Sequence, residues 1–430
     1  MAGLENQRIV IPYGHGGLPL KADFESWEVL EPGLYERGRE GSQEDIVRRA
    51  MENPIGSPRL EELAKGKRTA TILLSDHTRP VPSRVIIPLM VKALRQASPD
   101  IKITFLVATG CHRGTRSEEL CEKLGDELAC RETIVIHDCD DSRNMVSLGT
   151  LPSGAELRVN RLAVETELLL AEGFIEPHFF AGFSGGRKSV LPGVCARKTV
   201  MDNHCAGFID SPYARTGNLE NNPIHRDMAQ ACQMARLQYI VNVIIDRDKQ
   251  VLHALAGHPI KAHEKGCEIL RGICGVHPRQ KGDVVITSNG GAPLDQNIYQ
   301  VVKSLATAEA AASEAGVLVV CAECADGIGG DDFYRAMKDC RSPGELLERI
   351  RRVAPEDTVP DQWQYQILCR ILEKHRVMFV TRPELKAVIE EMKMEYYESL
   401  GDAVTAAMEK ASGNHVVVIP DGVSAMALEE

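Results

Sequence analysis

Short runs of apolar and β-branched residues alternate with helix-length segments through most of the 430-residue chain. The predicted strands are, in chain order, Thr69–Leu74, Lys102–Ala108, Thr133–His137, Leu168–Glu172, Tyr239–Asp246, Asp283–Thr287, Val317–Cys321, Val377–Val380 and His415–Pro420. The intervening segments Ser83–Gln96 and Ser117–Leu128 show the three- and four-residue spacing of amphipathic helices. Strand–helix alternation of this kind predicts an α/β fold with mostly parallel sheets flanked by helices.

The length of the chain predicts two domains, because a single hydrophobic core stops growing beyond roughly 250–300 residues. The polar segment Gly275–Gly282 contains Pro and Gly and precedes a fresh strand–helix series. We therefore expect an N-terminal domain over residues 1–278 and a C-terminal α/β domain over residues 279–430.

Charge and cysteine usage exclude several classes of protein. The net charge is −11, which opposes nonspecific binding to a nucleic-acid backbone. No apolar run approaches the roughly 20 residues that span a bilayer, and the first residues lack the pattern of a signal peptide. The 13 cysteines are scattered rather than spaced as a disulfide framework. These features predict a cytoplasmic protein that binds neither membrane nor nucleic acid.

Chemically capable residues gather in loops that follow predicted strands, where parallel-sheet enzymes hold their sites. The segments are SDHTRP at 75–80, ATGCHRG at 108–114, GFIEPHFFAGFSGGRKS at 173–189 and MDNHC at 201–205. Among the histidines, His112, His178 and His204 lie in these loops, which are rich in glycine or suited to binding an anion. Two histidines on opposite sides of a substrate would serve as a pair of acid–base groups, and a third could bind a metal.

The loop Gly182–Ser189 resembles a P-loop, but Arg187 replaces the glycine that must precede the lysine. A glycine-rich turn with Arg and Lys still suits phosphate or another anion, and an ordinary tight loop is the alternative. The one CxxC pair, Cys321 and Cys324, lacks a second pair or a histidine at zinc-ligand spacing, so we expect a structural role.

Together these segments resemble the lactate racemase family, whose members use a nickel-pincer nucleotide. The resemblance extends over nearly the whole chain through ARTGNLENNPIH at 214–225, DQNIYQVVKS at 295–304 and the tryptophan at 363. The run GFIEPHFFAGFSGGRK is more specific than any short motif. The resemblance implies an isomerase with its active site in a cleft between two domains.

The resemblance also implies how the cofactor is held. Lys188 matches the lysine that joins the cofactor covalently through a thioamide, and His204 matches the histidine ligand of nickel. His112 and His178 match the paired acid–base histidines. Further cofactor contacts are expected from Asp76, Thr109, Gly110, Gly185 and Gly186.

Substrate contacts are implied by the same resemblance. Arg79 and Lys303 match cationic residues that orient the substrate, and Tyr299, Gln300 and Trp363 line the same cleft. The expected reaction inverts C2 of a 2-hydroxy acid by reversible hydride transfer, with lactate, malate or an aldonate such as D-gluconate as substrate. Separate cofactor-synthesis enzymes are then required partners in producing the active protein.

Three other functions remain open at this point. A cofactor-free racemase would use His112 and His178 directly on the C2 proton. A nucleotide- or phosphate-binding protein, kinase-like or regulatory, would be built around Gly182–Ser189. A non-catalytic protein would bind sugar acids or nucleotides.

Overall fold

The architecture is that of a computed structural model, which describes residues 8–33 and 40–428. The strands are β1 (Arg8–Tyr13), β2 (Gly16–Lys21), β3 (Ser26–Val29), β4 (Thr69–Ser75), β5 (Lys102–Ala108), β6 (Thr133–Ile136), β7 (Met145–Thr150), β8 (Glu156–Asn160), β9 (Leu168–Phe174), β10 (Pro177–His178), β11 (Gly182–Phe183), β12 (Leu237–Ile245), β13 (Val251–Gly257), β14 (Gly275–Val276), β15 (Gly282–Ser288), β16 (Ala312–Cys321), β17 (Arg376–Val380), β18 (Glu395–Tyr397), β19 (His415–Ile419) and β20 (Met426–Ala427). The helices are α1 (Gln43–Glu52), α2 (Leu60–Ala64), α3 (Ser83–Ala97), α4 (Ser117–Leu124), α5 (Asp126–Arg131), α6 (Arg161–Glu165), α7 (Arg197–Asn203), α8 (Ala206–Asp210), α9 (Pro223–Met234), α10 (Lys261–Cys274), α11 (Ile298–Ala311), α12 (Asp331–Asp339), α13 (Pro343–Ile350), α14 (Gln362–Lys374), α15 (Lys386–Glu391) and α16 (Leu400–Lys410). The predicted α/β class with mostly parallel, helix-flanked sheets is confirmed.

The first large sheet has six strands in the order β13-β12-β9-β4-β5-β6. Every neighbouring pair is parallel except β12 with β13, which is antiparallel. All seven residues of β9 are buried, because helices cover both faces of this central strand. The carboxyl ends of β4, β5 and β9 therefore open onto the same edge of the sheet.

The second large sheet has the order β18-β17-β16-β15-β19-β3, and all its pairs are parallel. Its edge strand β3 comes from the start of the chain and aligns Ser26 with His415. The hairpin of β1 and β2 packs in the same core, through Ile11 and Leu20. A division at residue 278 does not anticipate this long-range return of the N-terminal strands, although the division itself stays a prediction.

One predicted helix, Ser117–Leu128, is split into α4 and α5. Gly125 between them has φ +80°, a left-handed conformation that ends α4 and that glycine adopts without steric cost. The turn lets α5 start in a new direction.

Direct contacts join the two halves of the molecule. Gln366 on α14 donates a hydrogen bond of 2.9 Å to the carbonyl oxygen of Ala206 on α8. An ion pair of 3.0 Å joins Arg351 to Asp210. Within the described ranges 8–33 and 40–428, no helix is both long enough and apolar enough to cross a membrane.

Candidate active site at the junction of the two halves

The loop after β4 and the loop after β5 meet through a carboxylate and an imidazole. The buried carboxylate of Asp76 lies 2.6 Å from Nδ1 of His112 and accepts hydrogen bonds from the backbone and hydroxyl of Thr78. Burial acts to raise the pKa of Asp76, but the hydrogen bond and charge of His112, Thr78 and Arg79 outweigh it and lower the pKa to about 2. The His112 side chain keeps 47% of its surface exposed. Because Nδ1 faces a carboxylate, Nε2 is the ring nitrogen left to meet a ligand.

Hydrogen bonds from residues that were not predicted from the sequence hold the loop of Asp76 and Arg79 in place. Glu172 accepts from the backbone N–H of Ser75 at 2.9 Å and from the hydroxyl of Ser83 at 3.0 Å, so one carboxylate holds both ends of the loop. Lys123 on α4 donates to the carbonyl oxygen of Arg79 at 3.1 Å. The sequence signal for these hydrogen bonds was Glu172, the single acidic residue within the apolar run of β9.

The loop after β9 brings His178 against Lys188. Nε2 of His178 lies 3.0 Å from Nζ of Lys188, and Nδ1 accepts from the backbone N–H of Ala181 at 3.3 Å. The imidazole also stacks on Phe179 and meets Phe180 edge to face. Burial, followed by the charges of Lys188, Lys303, Arg79 and Arg187, holds the pKa of His178 well below its usual range.

Arg187 stabilises this loop from inside the protein rather than reaching toward a ligand. Its guanidinium is fully buried and donates to the carbonyl oxygens of Phe183 at 2.7 Å and Ala181 at 2.6 Å. It also contacts ring nitrogens of His225 at 3.1 Å and His263 at 3.0 Å. Arg187, which departs from the P-loop pattern, therefore stabilises the turn through buried hydrogen bonds.

The two adjacent glycines of the turn are required by close packing. A Cβ on Gly185 would lie 2.7 Å from the carbonyl oxygen of Phe174, and one on Gly186 would lie 2.6 Å from the ring of His263. Both have positive φ, and the N–H of Gly186 is already donated to Asn242 at 2.7 Å. That donor is thus unavailable to a phosphate, which weakens the phosphate-binding interpretation of Gly182–Ser189.

His204 follows α7 and is set up as a neutral imidazole with one free nitrogen. Its Nδ1 lies 2.9 Å from the carbonyl oxygen of Val200, so Nδ1 carries the proton and Nε2 keeps its lone pair. The ring is buried against Phe180 and Trp363, with centroids 5.3 and 5.0 Å away. Burial and the nearby Lys188 charge lower the pKa of His204 to about 3.

The second half of the chain supplies the opposite wall. Trp363 on α14 touches His204 across the junction, and Lys303 on α11 is near enough to act on His178 electrostatically. The hydroxyl of Tyr299 donates to Asp361 at 2.9 Å, while Gln300 lies in the first turn of α11 beside it. Trp363 and Lys303 therefore lie near the histidines of the first half, whereas substrate contacts from Tyr299 and Gln300 remain a prediction.

The predicted turn Thr109–Gly110 has a structural explanation of its own. The Thr109 hydroxyl donates to the carbonyl oxygen of His137 at 2.7 Å, and the N–H of Gly110 donates to that of Gly193 at 2.9 Å. Gly110 adopts φ +55°. The turn therefore orients the segment that ends in His112, and a cofactor contact from it remains a prediction. Cys321 and Cys324 are buried free thiols, as their predicted structural role requires.

Comparison with known proteins agrees with this arrangement. The family description "Lactate racemase N-terminal domain" matches residues 13–217, and "Lactate racemase C-terminal domain" matches residues 277–427. A lactate racemase of Thermoanaerobacterium thermosaccharolyticum is 48% identical over 98% of this chain and 99% of its own length. A lactate racemase of Lactiplantibacillus plantarum is 46% identical over 89% of this chain and 90% of its own.

Solved structures give the same result. The lactate racemase apoprotein from T. thermosaccharolyticum superposes with a TM-score of 0.94 at 47% identity, covering 98% of this chain and 100% of that one. A Thermotoga maritima protein shares the fold alone, with a TM-score of 0.64 at 16% identity over 92% of this chain and 100% of that one. The chain belongs to the lactate racemase family and is an isomerase of the racemase type.

Proposed function

We propose that this isomerase racemises or epimerises C2 of a small 2-hydroxy acid, with lactate as the first substrate to test. The observation that carries the proposal is the convergence of cations from both halves on one histidine. Arg79 from the first half and Lys303 from the second both act on His178, and neither forms an ion pair with a carboxylate among the described salt bridges, although Glu176 acts on Lys303 electrostatically. A substrate carboxylate between Arg79 and Lys303 would add negative charge that both can bind.

The charge pattern fits an anionic substrate despite the acidic surface. Net charge acts at long range and is screened by salt, whereas a partly buried cluster of cations acts at contact distance. Arg79 and Lys303 come from different halves, so a carboxylate held between them would be fixed from two sides. Misplacement by about 1 Å at such a site costs on the order of a hundredfold in rate.

The donor set fits a nickel-pincer nucleotide joined covalently to Lys188. The His204 ring is buried, and no described hydrogen bond uses its Nε2, which is the state of a metal-ligating imidazole. Among the described residues, His204 belongs to no cluster of three or more His, Cys, Asp or Glu side chains, so a metal there would take its other ligands from a non-protein group. When bound, the nucleotide would accept hydride from C2 and return it to the planar keto acid.

The chain's own residues would handle the hydroxyl proton. We assign His112 and His178 as the acid–base pair on opposite sides of the substrate, each serving one enantiomer. Asp76 orients His112 so that Nε2 faces the hydroxyl. Phe179, Phe180 and Trp363 would exclude water while the planar intermediate presents its other face.

Residues of the cleft other than the acid–base pair determine which substituents are accepted at C3 and beyond. Malate and aldonates such as D-gluconate share C1 and C2 with lactate, and they differ only from C3 onward. We propose that the reaction takes place in the cytoplasm, after cofactor-synthesis enzymes have made the nucleotide.

The test uses the full chain produced together with cofactor-synthesis enzymes. We expect an intact mass raised by a nucleotide-sized adduct, about one nickel per chain, and conversion of L-lactate to D-lactate. Lys188→Ala should lose all three, and the exposed Lys21→Ala should lose none. An unmodified, nickel-free chain that still racemises lactate would support the cofactor-free alternative and overturn the cofactor assignment.

A further inference from the structure

The contact between His178 and Lys188 fixes where the protons are. The backbone N–H of Ala181 can only donate, so Nδ1 of His178 accepts and carries no proton. A neutral imidazole with a bare Nδ1 carries its proton on Nε2. That proton points at Nζ of Lys188, 3.0 Å away.

An ammonium group cannot accept this hydrogen bond, because it has three donors and no lone pair. If Lys188 were charged, both it and Nε2–H would be donors facing each other. The one arrangement that satisfies both contacts has an uncharged amine on Lys188, accepting from Nε2–H of His178.

The surroundings of Lys188 favour the same state. The charged and titratable groups that act on Lys188, or on which it acts, are Arg187, Arg79, Glu176, Lys303, His178 and His204. Three of them, Arg187, Arg79 and Lys303, are cationic side chains, although burial lowers the pKa of Lys303 as well, and Glu176 is the carboxylate among the six. Burial, then Arg187 and Arg79, hold the pKa of Lys188 well below its usual range, against the opposing effect of Glu176. The Phe180 ring, 5.6 Å from Nζ, is a weaker influence toward the charged form.

We infer that His178 has a second role before any substrate binds: it holds Lys188 as an uncharged amine and so makes this lysine the nucleophile that captures an activated acyl or thioacyl group. This inference rests on the proposed function, because it concerns how the cofactor becomes attached. His178 would thus act in two reactions of one site, first on the lysine and later on the substrate hydroxyl, after the contact with Ala181 has opened and the proton has moved to Nδ1, leaving Nε2 bare.

The capture step balances without an oxidant or reductant. The hydrogen bond from Nε2–H of His178 first opens, the lone pair of Nζ that accepted it forms a bond to the acyl or thioacyl carbon, and the bond from that carbon to its leaving group breaks. One amine proton departs with the leaving group. The product is an amide or thioamide on Lys188, which no longer carries a charge.

The experiment uses the full chain made without cofactor-synthesis enzymes and treated with the acetyl ester of N-hydroxysuccinimide between pH 5 and pH 11. Peptide mass spectrometry follows acetylation of Lys188, with the exposed Lys21 as an internal reference. We expect the pH midpoint of Lys188 acetylation to lie at least two pH units below that of Lys21, so that Lys188 keeps its maximal rate near pH 8.

His178→Phe keeps a ring but removes the Nε2–H donor, and it should move the midpoint of Lys188 upward by about one pH unit, a tenfold loss of rate below the midpoint. A change in accessibility alone would scale the whole profile without moving its midpoint. His178→Gln, whose amide N–H can donate, should move the midpoint less than His178→Phe does.

A wild-type midpoint that coincides with that of Lys21 would overturn the inference, as would a midpoint indifferent to His178→Phe. Lactate racemisation by the separately loaded chain is measured alongside. If the loaded chain racemises lactate while Lys188 titrates like Lys21, the second role of His178 fails and the proposed function stands. If the pH midpoint of Lys188 lies well below that of Lys21 and the loaded chain is inactive, the second role of His178 stands and the proposed function fails.

Discussion

The two histidines assigned to acid–base work lie in opposite surroundings. His112 is half exposed, and its Nδ1 is held 2.6 Å from the buried carboxylate of Asp76. Among the described residues, none offers His178 a carboxylate partner; it contacts Lys188 and two phenylalanine rings, and the charges of Arg79 and Lys303 also act on it. A racemase must treat mirror-image substrates, yet its own side chains are not mirror images. The comparison suggests that the fold orients one histidine with a carboxylate and keeps the other neutral by burial and positive charge.

The largest effect should come from removing either imidazole. His112→Asn and His178→Asn should each lower kcat by about 10²- to 10⁴-fold, the range attributed to a general acid–base group. Because each histidine serves one enantiomer, both variants should slow both directions of racemisation. Rates from pure L- and pure D-lactate check this. A variant that keeps kcat within about threefold of wild type would remove that histidine from the proposed pair.

The next effect concerns the carboxylate that distinguishes the two sites. Asp76→Asn keeps the shape of the side chain but removes its charge, so His112 should lose its fixed orientation and kcat should fall by about a hundredfold. His178 has no such partner, so the acetylation profile of Lys188 should not change. A shifted Lys188 profile would show that the two histidine sites are coupled.

Asp76 should also contribute to acid stability. Its pKa is about 2 in the folded chain and about 3.9 in an unfolded one, so its stabilisation is complete above about pH 4 and is lost as pH falls through about 2. The contribution is on the order of 2 kcal/mol. Urea unfolding of wild type and Asp76→Asn should therefore converge as pH falls toward 2. Equal pH dependence in both proteins would contradict the low pKa.

A smaller effect should follow from loosening the loop behind His112. Glu172→Ala removes the acceptor that holds Ser75 and Ser83, and we expect about a tenfold loss in kcat/KM with faster hydrogen exchange over residues 76–82. Glu172→Gln keeps an acceptor for the Ser75 N–H and a donor for the Ser83 hydroxyl, so it should restore most of the activity. If Gln and Ala behave alike, the carboxylate does more than hold the loop.

Most of the fold was predictable from periodicity because its large sheets are buried on both faces. The run LLLAEGF of β9 is buried throughout, and the run TATILLS of β4 is buried except at its two ends. The hairpin of β7 and β8 was not predicted, because β7 is short and half of its residues are exposed. The pairing of β3 with β19 joins residues almost 390 positions apart, and no local pattern encodes such a partner.

The motifs named candidate site residues, whose roles stay predictions, but they did not give the geometry around them. Motifs brought His112, His178, Lys188 and His204 to attention, whereas the proton positions on His178 depend on one backbone N–H of Ala181. The sequence did not predict the internal role of Arg187 either. An arginine that donates hydrogen bonds to buried carbonyl oxygens cannot be told from a ligand-binding arginine by sequence alone.

The smallest effect should come from Tyr299, which the family resemblance implies as a substrate contact. Tyr299→Phe removes the hydrogen bond to Asp361, worth about 1 kcal/mol, and should raise KM about fivefold with little change in kcat. Initial rates over a range of lactate concentrations check this. A drop in kcat without a change in KM would instead give Tyr299 a direct part in the reaction.

The central claim is that two unlike histidines move only the hydroxyl proton while the C2 hydrogen stays with the substrate. The most direct test is racemisation of C2-deuterated L-lactate by the cofactor-loaded chain in ordinary water. The account predicts that the D-lactate formed, and the L-lactate that remains, keep their deuterium at C2. Replacement of that deuterium by solvent hydrogen at the rate of racemisation would contradict it, and would assign His112 and His178 to direct abstraction of the C2 proton.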